Sequence, residues 1–146
     1  MILVDADACP VIEEIIEVAG HYQIEVRLVR NFNHFTSRDY PPFVSITYVD
    51  DGLDSADYRI VALVKHDDIV ITQDYGLASL LLKKHVTVLH QSGKLYSDAN
   101  IDLLLEMRHI SQQMRKSGLR TKGPKAFSQA DRQHFKNQLK KTIRNQ

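Results

Sequence analysis

Short apolar runs that stop abruptly and give way to helical spacing constrain this chain more than any other feature. Such runs lie at residues 1–5, 24–30 (IEVRLVR), 45–49 (SITYV), 69–72 (IVIT) and 86–89 (VTVL). Ile2, Leu3 and Val4 are continuously apolar, as in a strand buried on both faces. Between the runs, Val11, Ile12, Ile15, Ile16 and Ala19 recur at helical spacing, with Pro10 in the first turn, Asp7 or Ala8 near the cap and Gly20 at the end. Further helices are predicted from about Ser55 to Lys65 and through Leu77–Leu82. Strands alternating with helices predict a mostly parallel sheet with right-handed crossovers, an α/β fold of three layers, α/β/α. Residues 31–43, with Asn31, Asn33, Ser37, Pro41 and Pro42, read as an irregular loop.

The rest of the chain reads as a basic helical C-terminal extension. A long helix is expected from residue 98 to about 117, closed by Gly118. The linker LRTKGPKAF follows, and Ser128 with Asp131 makes a near capping box that opens a last helix to about Thr142. The expected division is an α/β domain at 1–118 and a linker and helix at 119–146, packed on that domain or extending from it. Charge divides at nearly the same place. Residues 1–111 hold 17 acids and 9 bases, a net of −8; residues 112–146 hold 1 acid and 10 bases, a net of +9. A basic tail on an acidic body suits a polyanion-binding protein, and it equally suits a tail packed on its own body. With 146 residues the chain can bury a sizeable core. It shows no leader pattern and no membrane-length apolar run, and its single cysteine fits a reducing compartment, so a cytoplasmic protein is expected.

Two of the apolar runs end in aspartate: ILVDADACP at 2–10 and DIVITQDYGLASLLL at 68–82. This puts Asp5, Asp7 and Asp74 at the C-terminal ends of strands, where open α/β sheets bind ligands. Asp57, with Asp54 nearby, lies in the first turn of the helix before the fourth strand. Carboxylates gathered at one edge repel one another unless a cation joins them, and Mg²⁺ uses one or two carboxylates with water and phosphate. Helix capping is the competing account, because Asp7, Asp54, Asp57 and Asp74 all lie near helix starts.

Residues 54–81, DSADYRIVALVKHDDIVITQDYGLASLL, resemble the second half of a PIN domain, in which an Asp begins a helix and a strand ends in T-x-D. ILVDAD resembles the first PIN strand with its acid. DADACPV, TQDYGLA and RTKGPKAF are similar to the YaiI/YqxD family, a group of bacterial proteins with a PIN-like core, and that likeness covers nearly the whole chain. The resemblance implies a nuclease or phosphodiesterase acting on RNA or DNA with Mg²⁺ or Mn²⁺. Asp5, Asp57 and Asp74 carry over as metal acids, with Asp7 as an additional acid beside them, and all four are expected to act as catalytic metal ligands. The usual second PIN acid has no counterpart; Glu13, Glu14 and Asp39 are candidates without a motif. Arg120, Lys122 and Lys125 are the expected phosphate contacts, and Phe127 and Phe135 are candidates to stack on bases. A packing stripe of Phe135, Leu139 and Ile143 competes with that role for Phe135. A homo-oligomer is compatible with the sequence.

Two other functions compete. One is a nucleic-acid-binding protein without catalysis. The other is a haloacid-dehalogenase-like small-phosphate hydrolase, suggested by the D-x-D of Asp5 and Asp7, although Cys9 and Asn31 depart from that pattern. Cys9 precedes a helix but has no arginine at phosphatase-loop spacing, which favours a packed thiol. The seven histidines show no H-x-x-x-H pair.

Overall fold

The structure, a computed structural model, describes residues 1–52, 55–118 and 126–146. Five parallel strands form the sheet: β1 (Ile2–Asp5), β2 (Val26–Asn31), β3 (Val44–Val49), β4 (Ile69–Ile71) and β5 (Thr87–Leu89), in the order β3-β2-β1-β4-β5. The helices are α1 (Ile12–Tyr22), α2 (Ser55–Leu63), α3 (Tyr75–Lys83), α4 (Asp98–Lys116) and α5 (Gln129–Arg144). The chain leaves β1 in one direction for β2 and β3 and later returns on its other side as β4 and β5. The switch point of the sheet therefore lies between β1 and β4, where Val4 pairs with Ile71.

Alternation along the strands builds two cores. Ile2, Val4, Leu28 and Ile71 face α1 and α5 with Ile15, Phe135 and Leu139. Leu3, Val29, Val70 and Val88 face the other layer with Ile60, Leu77, Leu81 and Ile101. This is the three-layer α/β sandwich that the strand–helix alternation predicts.

Several boundaries differ from the sequence expectation. α1 runs past Gly20 to Tyr22 and ends at Gln23, which takes the left-handed conformation at φ 56°. Gly20 serves close packing instead: a Cβ there would lie 3.1 Å from the Phe43 ring. Neither Asp7 nor Ala8 caps α1, whose N-cap is Val11 with no side-chain bond. The loop at 31–43 contains one 3₁₀ turn, Phe32–His34. The Ser128–Asp131 capping box is present in full.

α5 lies against α1. Phe135 and Leu139 are fully buried, and Phe127 packs beside them, which removes Phe135 from the surface as a stacking residue. Arg132 donates to Pro10 O and Glu14 Oε1 at 2.7 and 3.1 Å, and Lys136 to Glu17 Oε2 at 3.0 Å. Among the described residues, no helix is long and apolar enough to cross a membrane.

Candidate active site

The four aspartates singled out in the sequence line one cavity. It measures about 360 Å³ and sits at the C-terminal edge of the sheet, with Asp5, Asp7, Asp57 and Asp74 among its walls together with Asn31 and Gln73. Each acid arrives on a different segment: Asp5 on the last residue of β1, Asp7 on the turn after it, Asp57 in the first turn of α2, and Asp74 at the head of α3. Asp54 lies outside the described residues.

Asp5 and Asp74 are held by one buried hydroxyl. Thr72 Oγ1 donates to Asp5 Oδ2 at 2.9 Å and accepts from the Asp74 backbone N–H at 3.0 Å. Tyr96 in turn donates its hydroxyl to the Thr72 carbonyl at 3.2 Å. The threonine of T-x-D thus positions both acids across the β1–β4 boundary. Burial lifts the Asp5 carboxyl to about 6, and the nearby charges of Asp74 and Asp7 push the same way, against the lowering hydrogen bond from Thr72.

Asp74 and Asp7 also have local duties. Asp74 Oδ1 caps α3, accepting from the N–H groups of Gly76 and Leu77 at 2.9 and 3.2 Å. A Cβ on Gly76 would lie 3.2 Å from that oxygen, so glycine keeps the cap open. Arg108 of α4 reaches Asp74 at 3.5 Å. Asp7 accepts the Asn31 N–H on both oxygens, at 2.9 and 3.2 Å, and lies 2.6 Å from His34 Nδ1, which donates because a carboxylate only accepts. Capping therefore explains part of Asp74 and none of Asp7.

Comparison with known proteins agrees with this chain's overall pattern. A family model described as an uncharacterised BCR, YaiI/YqxD family, matches residues 3–145. A UPF0178 protein of Staphylococcus aureus strain JH9 is 50% identical over 142 residues, covering 97% of this chain and 93% of the relative. The UPF0178 protein of strain Newman is 49% identical over the same length, with the same coverage. The chain belongs to the YaiI/YqxD family. No solved structure matches it.

In this YaiI/YqxD chain the acids without a motif lie elsewhere. Glu13 pairs with Arg38, and Glu14 joins the α5 docking seam. Burial pushes the Cys9 thiol up to about 11, so it is an inert packed group. Arg120, Lys122 and Lys125 lie outside the described residues. The fold also brings in groups to which the sequence reading gave no site role: Asn31 closes β2, His34 lies in the turn after it and Arg108 is mid-helix in α4, and none carries a motif signal. The T-x-D motif is the signal that finds Thr72.

The donor set is hard oxygen, the chemistry Mg²⁺ and Mn²⁺ take. Among the described residues, however, no three Asp, Glu, His or Cys side chains form a ready cage. A cation that keeps most of its water needs only one or two carboxylates, so these acids could hold Mg²⁺ only in a partial site and not in a closed structural one.

Proposed function

We propose that this YaiI/YqxD protein is a metal-dependent nuclease or related phosphodiesterase acting on RNA or DNA. One observation carries the reading: four aspartates from four segments line a single cleft at the switch point, with the deepest of them short of compensating charge. Asp5 and Asp74, neighbours through Thr72, would hold Mg²⁺ or Mn²⁺, with Asp7 and Asp57 as further acids of the same cleft. A cation there supplies charge to neutralise a phosphodiester and lowers the pKa of a bound water. Asp7 or Asp57 would accept a proton from an attacking water. Arg108, beside Asp74, and the chain's Arg120, Lys122 and Lys125 hold phosphate oxygens. The test is Mn²⁺ calorimetry with a cleavage assay on RNA and DNA, wild type against Asp5→Asn/Asp74→Asn. Loss of both metal binding and turnover is expected; turnover that survives the double change overturns the reading.

A second reading, a nucleic-acid-binding protein without catalysis, has its own observation. Asp7 and Asp74 already spend oxygens on Asn31, His34 and the α3 N-terminus. A pure binder keeps or gains affinity in the same double variant as repulsion falls, and shows no turnover in the wild type.

A further inference from the structure

Two phenylalanines beside the acidic cleft are left bare. Phe32 and Phe35 are 61% and 63% exposed. Their ring centroids stand 6.1 Å apart, and both lean on Tyr48, at 5.8 and 5.4 Å. The rings are tied to the cleft through its own acid. Asn31, which precedes Phe32, gives its N–H to Asp7, and His34, between the two phenylalanines, donates to the same carboxylate. The Asn31 side chain also caps the turn at the Asn33 N–H, at 2.8 Å. A second aromatic group stands on the other flank of the cleft, where Tyr75, next to Asp74, packs at 6.2 Å from His90 and 6.0 Å from Tyr96.

Folding alone does not account for the bare pair, since a phenylalanine stabilises a fold by being buried and these two are exposed. Aromatic faces held open beside a phosphodiester-type cleft suit stacking on bases. A duplex hides its base faces against one another, so only unpaired, splayed bases can reach these rings.

We infer that Phe32 and Phe35, backed by Tyr48, form a stacking subsite for unpaired bases, which leads a single-stranded nucleic acid across the acidic cleft. The inference rests on the proposed nucleic-acid function and narrows it to single strands. The strand's bases stack on the Phe32–Phe35 side while its backbone crosses the edge that carries Asp7, Asp5 and Asp74.

The experiment is fluorescence anisotropy with labelled oligothymidylate and oligouridylate, on protein carrying Asp5→Asn so that turnover does not intervene. Phe32→Ala/Phe35→Ala is expected to weaken binding roughly tenfold or more. Phe32→Tyr/Phe35→Tyr keeps the rings and is expected to retain the affinity, whereas Phe32→Leu/Phe35→Leu keeps only apolarity and loses it. An abasic oligomer of equal length is expected to bind weakly and to be indifferent to all these changes. Equal binding by the alanine and parent proteins, a duplex bound as tightly as the single strand, or no oligonucleotide binding at all overturns the subsite. Cleavage by the otherwise unmodified chain is read separately. Cleavage that ignores the phenylalanines sinks the subsite and leaves the nuclease standing. Ring-dependent binding with no cleavage sinks the nuclease and leaves the subsite standing.

Discussion

The α1–α5 seam and the acidic cleft both gather carboxylates, and they treat them in opposite ways. At the seam and close to it, acids of α1 meet cations of the same chain: Glu14 with Arg132, Glu17 with Lys136, Glu13 with Arg38. In the cleft four aspartates share one wall; Arg108 stands 3.5 Å from Asp74 and His34 2.6 Å from Asp7. The seam has already neutralised itself, and its burial of Phe135 and Leu139 makes it part of the core. The cleft instead holds Asp5 buried beside the charges of Asp74 and Asp7. The contrast also divides the basic tail: Arg132 and Lys136 answer the chain's own acids, so they are not the cations left for a polyanion.

The largest effect expected from this contrast is at the seam. Phe135→Ala removes a fully buried ring and should cost about 3–5 kcal/mol in denaturant unfolding. A cost below about 1 kcal/mol would show α5 to be an appendage rather than core.

The cleft should respond with the opposite sign. Because the folded-state pKa of Asp5, about 6, lies above its ordinary value of 3.8, folding favours its protonated form. In metal-free protein, stability is therefore expected to fall as pH rises from about 4 to about 6, by up to about 3 kcal/mol from this group. Asp5→Asn should flatten that slope and stabilise the protein at pH 7. Thermal melts of both proteins across that window, in chelator, read it directly; a variant less stable than wild type at pH 7 would mean that Asp5 is structural.

Cations should differ in the same manner. Arg132→Ala strands the half-buried Glu14, whose buried Oε2 already lacks a hydrogen-bond partner among the described residues, and should cost about 1–3 kcal/mol. Arg108→Ala, at a half-exposed position over the cleft, should change stability by less than about 0.5 kcal/mol while weakening substrate binding. Equal costs for the two arginines would erase the distinction between seam and cleft.

A further pair of substitutions separates Asp74's two roles. Asp74→Ala should lose about 1 kcal/mol with the α3 cap, and Asp74→Ser should recover most of it. Neither variant should bind Mn²⁺ if Asp74 is a ligand.

Much of the site was legible because it lies where regular elements end. Asp5 and Asp74 close apolar runs, and a parallel sheet puts such endings on one edge; Asp57 follows because α2 starts at that edge as well. Asn31, His34, Phe32 and Phe35 were not legible. They sit at the end of β2 and in the aperiodic segment after it; Asn31 and His34 are placed by contacts with Asp7, 24 and 27 residues away, and Phe32 and Phe35 by Tyr48. Phe135 shows the reverse case: one aromatic residue invited two readings, stacking and packing, and its 4-residue spacing to Leu139 already favoured the one found.

The sequence by itself determined the α/β class, the parallel sheet, the edge that carries the acids and the family, because periodicity and strand endings are local properties that each segment holds alone. Only the tertiary structure decided that β1 lies beside β4, that one threonine hydroxyl serves both Asp5 and Asp74, and that the tail's cations divide between α1 and the remainder. Those outcomes depend on burial and on pairs far apart along the chain, and no local pattern records which distant partner will desolvate a carboxylate or neutralise it.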